Sequence, residues 1–158
     1  MKDLSMMVDD VKFNYRVGLI IELDGKVFVE VNPNNSFVTI PGGRVHTLEY
    51  TKETVIREAY EEMGIKLNKN DLNLHAIIEN FFEMDDIKFH ELYFLYKLVL
   101  DKEDKRFKDN MKNNDSKANY FKLVDIEGID QVNILPKVLK KIIKEKNFNN
   151  YVVNDLDK

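Results

Sequence analysis

The stretch that constrains the chain most is TKETVIREAYEEMG, residues 51–64. Its pattern suits a helix. Ile56, Ala59, Tyr60 and Met63 recur at 3.6-residue spacing and so share one face. Glu58, Glu61 and Glu62, related as i, i+3 and i+4, share the opposite face. Thr51 stands where an N-cap belongs, and Glu53 lies in the first turn, where the helix dipole favours a carboxylate. Gly64 stands where a glycine commonly ends a helix.

The acidic face needs an explanation. Like charges at this spacing destabilise a helix by roughly 0.2–0.5 kcal/mol per pair. Arg57, four residues before Glu61, is the one basic residue spaced to answer them. Two readings stand open on these residues alone. One is a solvated stripe, the usual fate of a charge run. The other is a cation site, and three carboxylates would select a hard ion such as Mg²⁺, Mn²⁺ or Ca²⁺.

The residues upstream extend the pattern. Gly43, five residues, Glu49, seven residues, then Arg57-Glu58-Ala59-Tyr60-Glu61-Glu62-Met63-Gly64-Ile65 run at fixed spacing. This resembles the Nudix box, G-x5-E-x7-R-E-U-x-E-E-x-G-U, where U is a bulky aliphatic. Every fixed polar and glycine position is filled. The departure is Ala59 at the first U, a packing position that touches no chemistry.

The resemblance implies a fold and an activity. The fold is α/β, a Nudix-type α/β/α sandwich around a curved mixed β-sheet. The activity is hydrolysis of a diphosphate linkage in a nucleoside triphosphate or another nucleoside-diphosphate-linked compound. Such a reaction needs charge neutralisation and in-line positioning, which Mg²⁺ or Mn²⁺ supplies. By resemblance Glu58, Glu61 and Glu62 are catalytic and metal-binding, with Glu58 either ligand or general base. The Gly42 carbonyl joins the metal shell. Gly43, Glu49, Arg57 and Gly64 are structural members of the box, with Glu49 and Arg57 expected to pair.

Composition fits this reading. The 158 residues are 44% hydrophobic and 33% charged, which suits one globular domain over 1–158. The absence of cysteine excludes disulfides and zinc-thiolate sites. A net charge of −4 without a basic stripe argues against broad nucleic-acid binding. The apolar runs are too short for a membrane span, and MKDLSMMVDD is too acidic for a signal peptide. The expected location is the cytoplasm, with a small nucleotide as partner and a homodimer left open. Only four residues are arginine, Arg16, Arg44, Arg57 and Arg106, and two of them fall inside the box.

Along the chain, residues 12–23 and 26–31 read as strands joined at Asp24-Gly25, a strong hairpin signal. Residues 37–40 form a short strand before the glycines. Residues 74–84 and 88–100 read as two long strands turning at Asp85-Asp86. Residues 101–118 read as a mobile polar loop, 120–124 as a last strand and 136–146 as an amphipathic helix. Residues 1–10 and 147–158 read as loosely ordered.

Candidates for gripping the substrate are Arg44, Glu91, Asp115, and one of Phe81 and Phe82. Strand alternation forbids both rings from facing one side, so one would line the cleft and the other pack inside. Glu79, Glu91 and Asp115 are the candidates for a further acidic ligand. His46 and His75 have no companions at metal-ligand spacing. The competing reading is a Nudix-like domain that senses a nucleotide without cleaving it. Such a domain would be expected to lose box glutamates, and this chain keeps them all.

Overall fold

The computed structural model describes residues 1–157. The sheet is built around β2 (Val11–Leu23). Residues 17–21 of this strand, VGLII, are buried on both faces, as a strand covered from two sides requires. Val17, Leu19 and Ile21 pack into one apolar core and Ile20 into another.

Around β2 lie β1 (Ser5–Val8), β3 (Lys26–Val31), β4 (Val38–Thr39), β5 (Gly42–Arg44), β6 (Asn73–Met84), β7 (Ile87–Leu100), β8 (Met111–Lys112), β9 (Tyr120–Asp125) and β10 (Asn149–Asn154). All belong to one mixed sheet. Its path runs β10-β6-β7-β2-β3-β9-β8, with β1 and β5 also on β2 and β4 on β3. The β2–β7 and β10–β6 pairs are parallel and the others antiparallel. Helix α1 (Thr51–Met63) packs Val55, Ala59 and Met63 on the face of Val17 and Leu19. Helix α2 (Leu139–Lys144) packs Leu139, Ile142 and Ile143 on the face of Ile20 and Leu95. The expected α/β sandwich about a mixed sheet is therefore present, with one helix per face.

Several local expectations are corrected. Both ends carry a strand. Ser5–Val8 pairs in register with residues 11–14, and Asn149–Asn154 adds a parallel edge strand to β6. The pairing partner lies elsewhere in sequence, so neither end shows its order locally. Lys158, the last residue of the expected frayed end, lies outside the described residues. The polar segment 101–118 contains the short strand β8 and is pinned by Phe107, 3% exposed, whose ring lies 5.6 Å from that of Phe28. Helix α2 starts at Leu139, after Pro136, and the short third strand is Val38–Thr39.

Helix α1 has the expected length, but its start and its buried face differ. Tyr50 takes the N-cap position in extended backbone, with no side-chain capping bond. Thr51 instead shares a 2.7 Å hydrogen bond with the Tyr96 hydroxyl. Gly64 does end the helix, in the left-handed conformation at φ 71°. Tyr60 is exposed, whereas Glu62 is buried. Val55, Ala59 and Met63 are related as i and i+4 and fix the inward face, which carries Glu62 in with it.

Candidate active site

A cavity of about 420 Å³ opens where the first turns after β5 meet α1. Its lining brings together Glu58, Glu61 and Glu62 from α1, and Gly42, Gly43 and Arg44 from β5. Arg16 of β2, Arg57, His46, Asp3 and Asp115 complete the wall. The cavity wall carries both signs of charge. The helix gives carboxylates, and the sheet gives Arg16 and Arg44, which stand directly opposite each other in the β2–β5 register.

Arg57 organises the helix side. Its Nε donates to Glu49 Oε1 at 2.8 Å and its Nη2 to Glu49 Oε2 at 3.1 Å. Nη2 also donates to the Arg44 carbonyl at 3.0 Å, so the guanidinium ties the loop to the helix. Nη1 donates to Glu58 at 2.8 Å and to Glu61 at 3.0 Å. This answers two of the three helix charges. Glu49 further accepts from the His46 amide and the Thr54 hydroxyl. Burial works to raise the Glu49 carboxyl, but the hydrogen bonds from Arg57, His46 and Thr54 outweigh it and hold the group at about 2.

Glu62 is the exception. It is 7% exposed, and its Oε2 is buried without a hydrogen-bond partner. Burial, reinforced by the nearby charges of Glu30 and Glu58, pushes its carboxyl up to about 9. The Gly42 amide and the Asn113 side chain pull the other way and are outweighed. Burial also raises Glu58, against the opposing effect of Arg57. The two glycines make room for this arrangement. A Cβ on Gly43 would stand 2.2 Å from the Glu58 carboxyl, and one on Gly42 would stand 2.1 Å from the Val17 carbonyl oxygen of β2. The groups that exclude a side chain here are the protein's own.

The segment after β8 reaches into the site. The Asn114 amide donates to the Glu62 carbonyl at 2.8 Å. Asn113, 6% exposed, donates through Nδ2 to Glu30 at 2.9 Å and accepts from the amides of Asp115 and Ser116. That turn carries Asp115 to the cavity wall. Asn119 Nδ2 also donates to Glu30, at 2.6 Å.

Of the residues expected to grip substrate, Arg44 and Asp115 line the cavity. Glu91, Phe81 and Phe82 do not. Glu91 is 3% exposed on β7 and meets Arg16 at 3.5 Å and Asn80 at 3.4 Å. Phe81 lies against His90 and Phe82 stacks on Phe89, both half-buried. The rings do alternate in their partners, as a strand requires. Glu79 is exposed on β6, and buried His75 meets the Ile142 carbonyl at 3.0 Å. Arg16, Asp3, His46, Glu30 and Asn113 were not expected here. Arg16 had a signal, an arginine inside an aromatic and aliphatic strand run. Asp3 and Asn113 had none, because their place depends on strand register and on a loop turn.

The model that describes the NUDIX domain matches residues 14–144. The chain belongs to the NUDIX family. As a Nudix protein it is a hydrolase acting on pyrophosphate bonds. Solved structures of Nudix proteins share its fold. The MutT protein from Bacillus halodurans superposes at TM-score 0.67 with 16% identity, covering 90% of this chain and 91% of its own. A MutT protein from Methanosarcina mazei Go1 gives 0.62 and 19%, covering 87% and 94%. An Ap4A hydrolase from C. elegans gives 0.55 and 21%, covering 83% and 93%. No curated protein sequence matches the chain.

Proposed function

We propose that this Nudix hydrolase depends on Mg²⁺ or Mn²⁺ and cleaves the diphosphate linkage of a nucleoside triphosphate or a related nucleoside-diphosphate-linked compound. The observation that carries the reading is Glu62 Oε2, a buried carboxylate oxygen with no partner beside Glu58 and Glu61 in one open cavity. An unsatisfied buried acceptor costs about 1–3 kcal/mol, more when charged, and a hard cation is the group that would satisfy it. The donor set fits, being carboxylate and carbonyl oxygen throughout. Among the described residues no three acidic or histidine side chains already converge into a finished cluster, and Arg57 bridges Glu58 to Glu61.

On this reading Glu58, Glu61, Glu62 and the Gly42 carbonyl hold the cation, which when bound neutralises charge on the phosphoryl oxygens. Glu58 takes the proton of the attacking water through Oε2, since Oε1 accepts from Arg57. Water adds to phosphorus, the bridging P–O bond breaks, and its electron pair leaves with the departing phosphate. Glu49 and Arg57 hold the loop over the helix. The reading goes with a cytoplasmic protein, where nucleotides are plentiful.

The test is a panel of nucleoside triphosphates, dinucleoside polyphosphates and nucleotide sugars, each incubated with Mg²⁺, with Mn²⁺ and with EDTA. Turnover of at least one class with metal and none with EDTA is expected. Full turnover in metal-stripped buffer would refute the metal dependence.

A further inference from the structure

We infer that Arg16 is a substrate-anchoring residue, gripping a phosphate group that the substrate carries beyond the linkage being cleaved. The inference rests on the pyrophosphohydrolase reading above and narrows it to substrates with a third phosphoryl group or a phosphorylated leaving portion.

Three arginines stand in the cavity wall. Arg57 is committed, with bonds to Glu49, Glu58, Glu61 and the Arg44 carbonyl. Arg44 reaches Asp3 at 3.5 Å at the exposed rim. Arg16 has a single acceptor among the described residues, Glu91 Oε2, at 3.5 Å from its Nη1. The guanidinium carries five N–H donors, so most of its donor capacity remains open. Its side chain is 34% exposed, and the residue lines the cavity.

The rest of Arg16 is held from behind. Its Cζ lies 5.4 Å from the ring centroid of Tyr93, the residue opposite it in the parallel β2–β7 register. Glu91 is 3% exposed and in turn accepts from Asn80, itself 4% exposed. A carboxylate this buried is expensive unless a cation answers it. A bridge built only for stability would close to a short bidentate pair. Here the cation stays long, single-contact and turned to the cavity. Glu91 and Tyr93 are thus positioning residues that aim a rigid cationic fork.

The aim matches a phosphate. Arg16 lines the same cavity as the helix carboxylates, with Arg44 as its register partner on β5. A polyphosphate laid across the cavity would put its cleaved linkage on the carboxylate side and its far oxygens on Arg16, with Arg44 beside it. A planar guanidinium suits two such oxygens at once.

The test compares parent, Arg16→Lys, Arg16→Gln and the Arg16→Gln/Glu91→Gln double variant. The double variant removes both charges and serves if Arg16→Gln alone fails to fold. Calorimetry with inorganic tripolyphosphate in Mg²⁺ reads the anchor without catalysis. Binding of Mn²⁺ alone, followed by electron paramagnetic resonance, reads the metal side. The expected result is about 10- to 100-fold weaker tripolyphosphate binding in Arg16→Gln or the double variant, the loss of a charged hydrogen bond. Arg16→Lys should fall between, with Mn²⁺ affinity unchanged throughout. With active enzyme, KM for a nucleoside triphosphate should rise by a similar factor, while KM for a diphosphate with a neutral sugar stays put. Equal tripolyphosphate affinity in parent and variants would overturn the inference, as would no binding by the parent. If the parent cleaves no nucleotide yet Arg16→Gln still loses tripolyphosphate, the enzymatic reading fails and the anchor stands.

Discussion

Gly42 and Gly43 are neighbours, yet an alanine at each should act differently. At Gly42 the new methyl meets backbone of β2 and the residue holds φ at 154°, so the β2–β5 pair itself must shift. Gly42→Ala should lower the melting temperature strongly. At Gly43 the methyl meets the far end of Glu58, which can swing aside. Gly43→Ala should keep the parent's melting temperature while turnover falls about 100-fold, the scale of displacing a catalytic group. Thermal scans and single-substrate kinetics on the two variants separate these outcomes. Glu62 gives a pH signature. Its folded-state carboxyl lies at about 9, above the ordinary value of 4.5, so folding favours the protonated form. The associated stability is complete below about 4.5 and is lost as pH rises toward 9. In EDTA, Glu62→Gln should therefore be more stable than the parent at pH 8, by roughly 1–3 kcal/mol. The gap should shrink at pH 5, as urea unfolding at both pH values would show. The sequence makes Glu62 visible as part of an acidic trio. It does not reveal that Glu62 is buried, because the apolar spacing left the inward face open to a small rotation.

Among the elements, α1 and the loop before it act as one unit through Glu49 and Arg57. Their pairing is implied by the resemblance to the Nudix box, and Arg57 meets Glu49 through two hydrogen bonds. Glu49 is depressed to about 2 from 4.5, so its contribution is present above about 4.5 and is lost as pH falls toward 2. That contribution is on the order of 3 kcal/mol. A double-mutant cycle of Glu49→Gln and Arg57→Ala should show coupling of about 1–3 kcal/mol at pH 7 and almost none at pH 2. Zero coupling at pH 7 would refute the pair. The segment 101–118 is a contrasting case. Its composition reads as solvated loop, but Phe107 is sealed beneath it and Asn113 ties it to Glu30. One aromatic anchor in a polar run is easily lost to averaging over the run. Phe107→Ala should cost about 3–5 kcal/mol. It should also release Asp115, seen as lost protection from hydrogen exchange across residues 107–119.

For the whole molecule, the order of strands and helices makes the α/β class legible, the resemblance to the Nudix box implies the sandwich, and the two-sided burial of residues 17–21 matches it. The edges are not legible. β10 owes its order to β6, a strand more than sixty residues earlier in the chain, and nothing within NNYVVN announces a partner. The same long-range logic governs the middle of the sheet. β2 lies parallel to β7, with Val11 beside Lys88 and Leu23 beside Leu100. Every residue of α1, with Glu58, Glu61 and Glu62, falls within the loop that this pairing closes. A chain emerging from the ribosome therefore makes its helix early but cannot seat it, since the strand that completes the floor is translated last of the three. Closing so large a loop is entropically slow, and until β7 arrives the apolar run of β2 has one flank unpaired. The helix carboxylates are thus brought to the sheet by an encounter between distant parts of a nascent chain, and until then the edge of β2 stays open to other pairing.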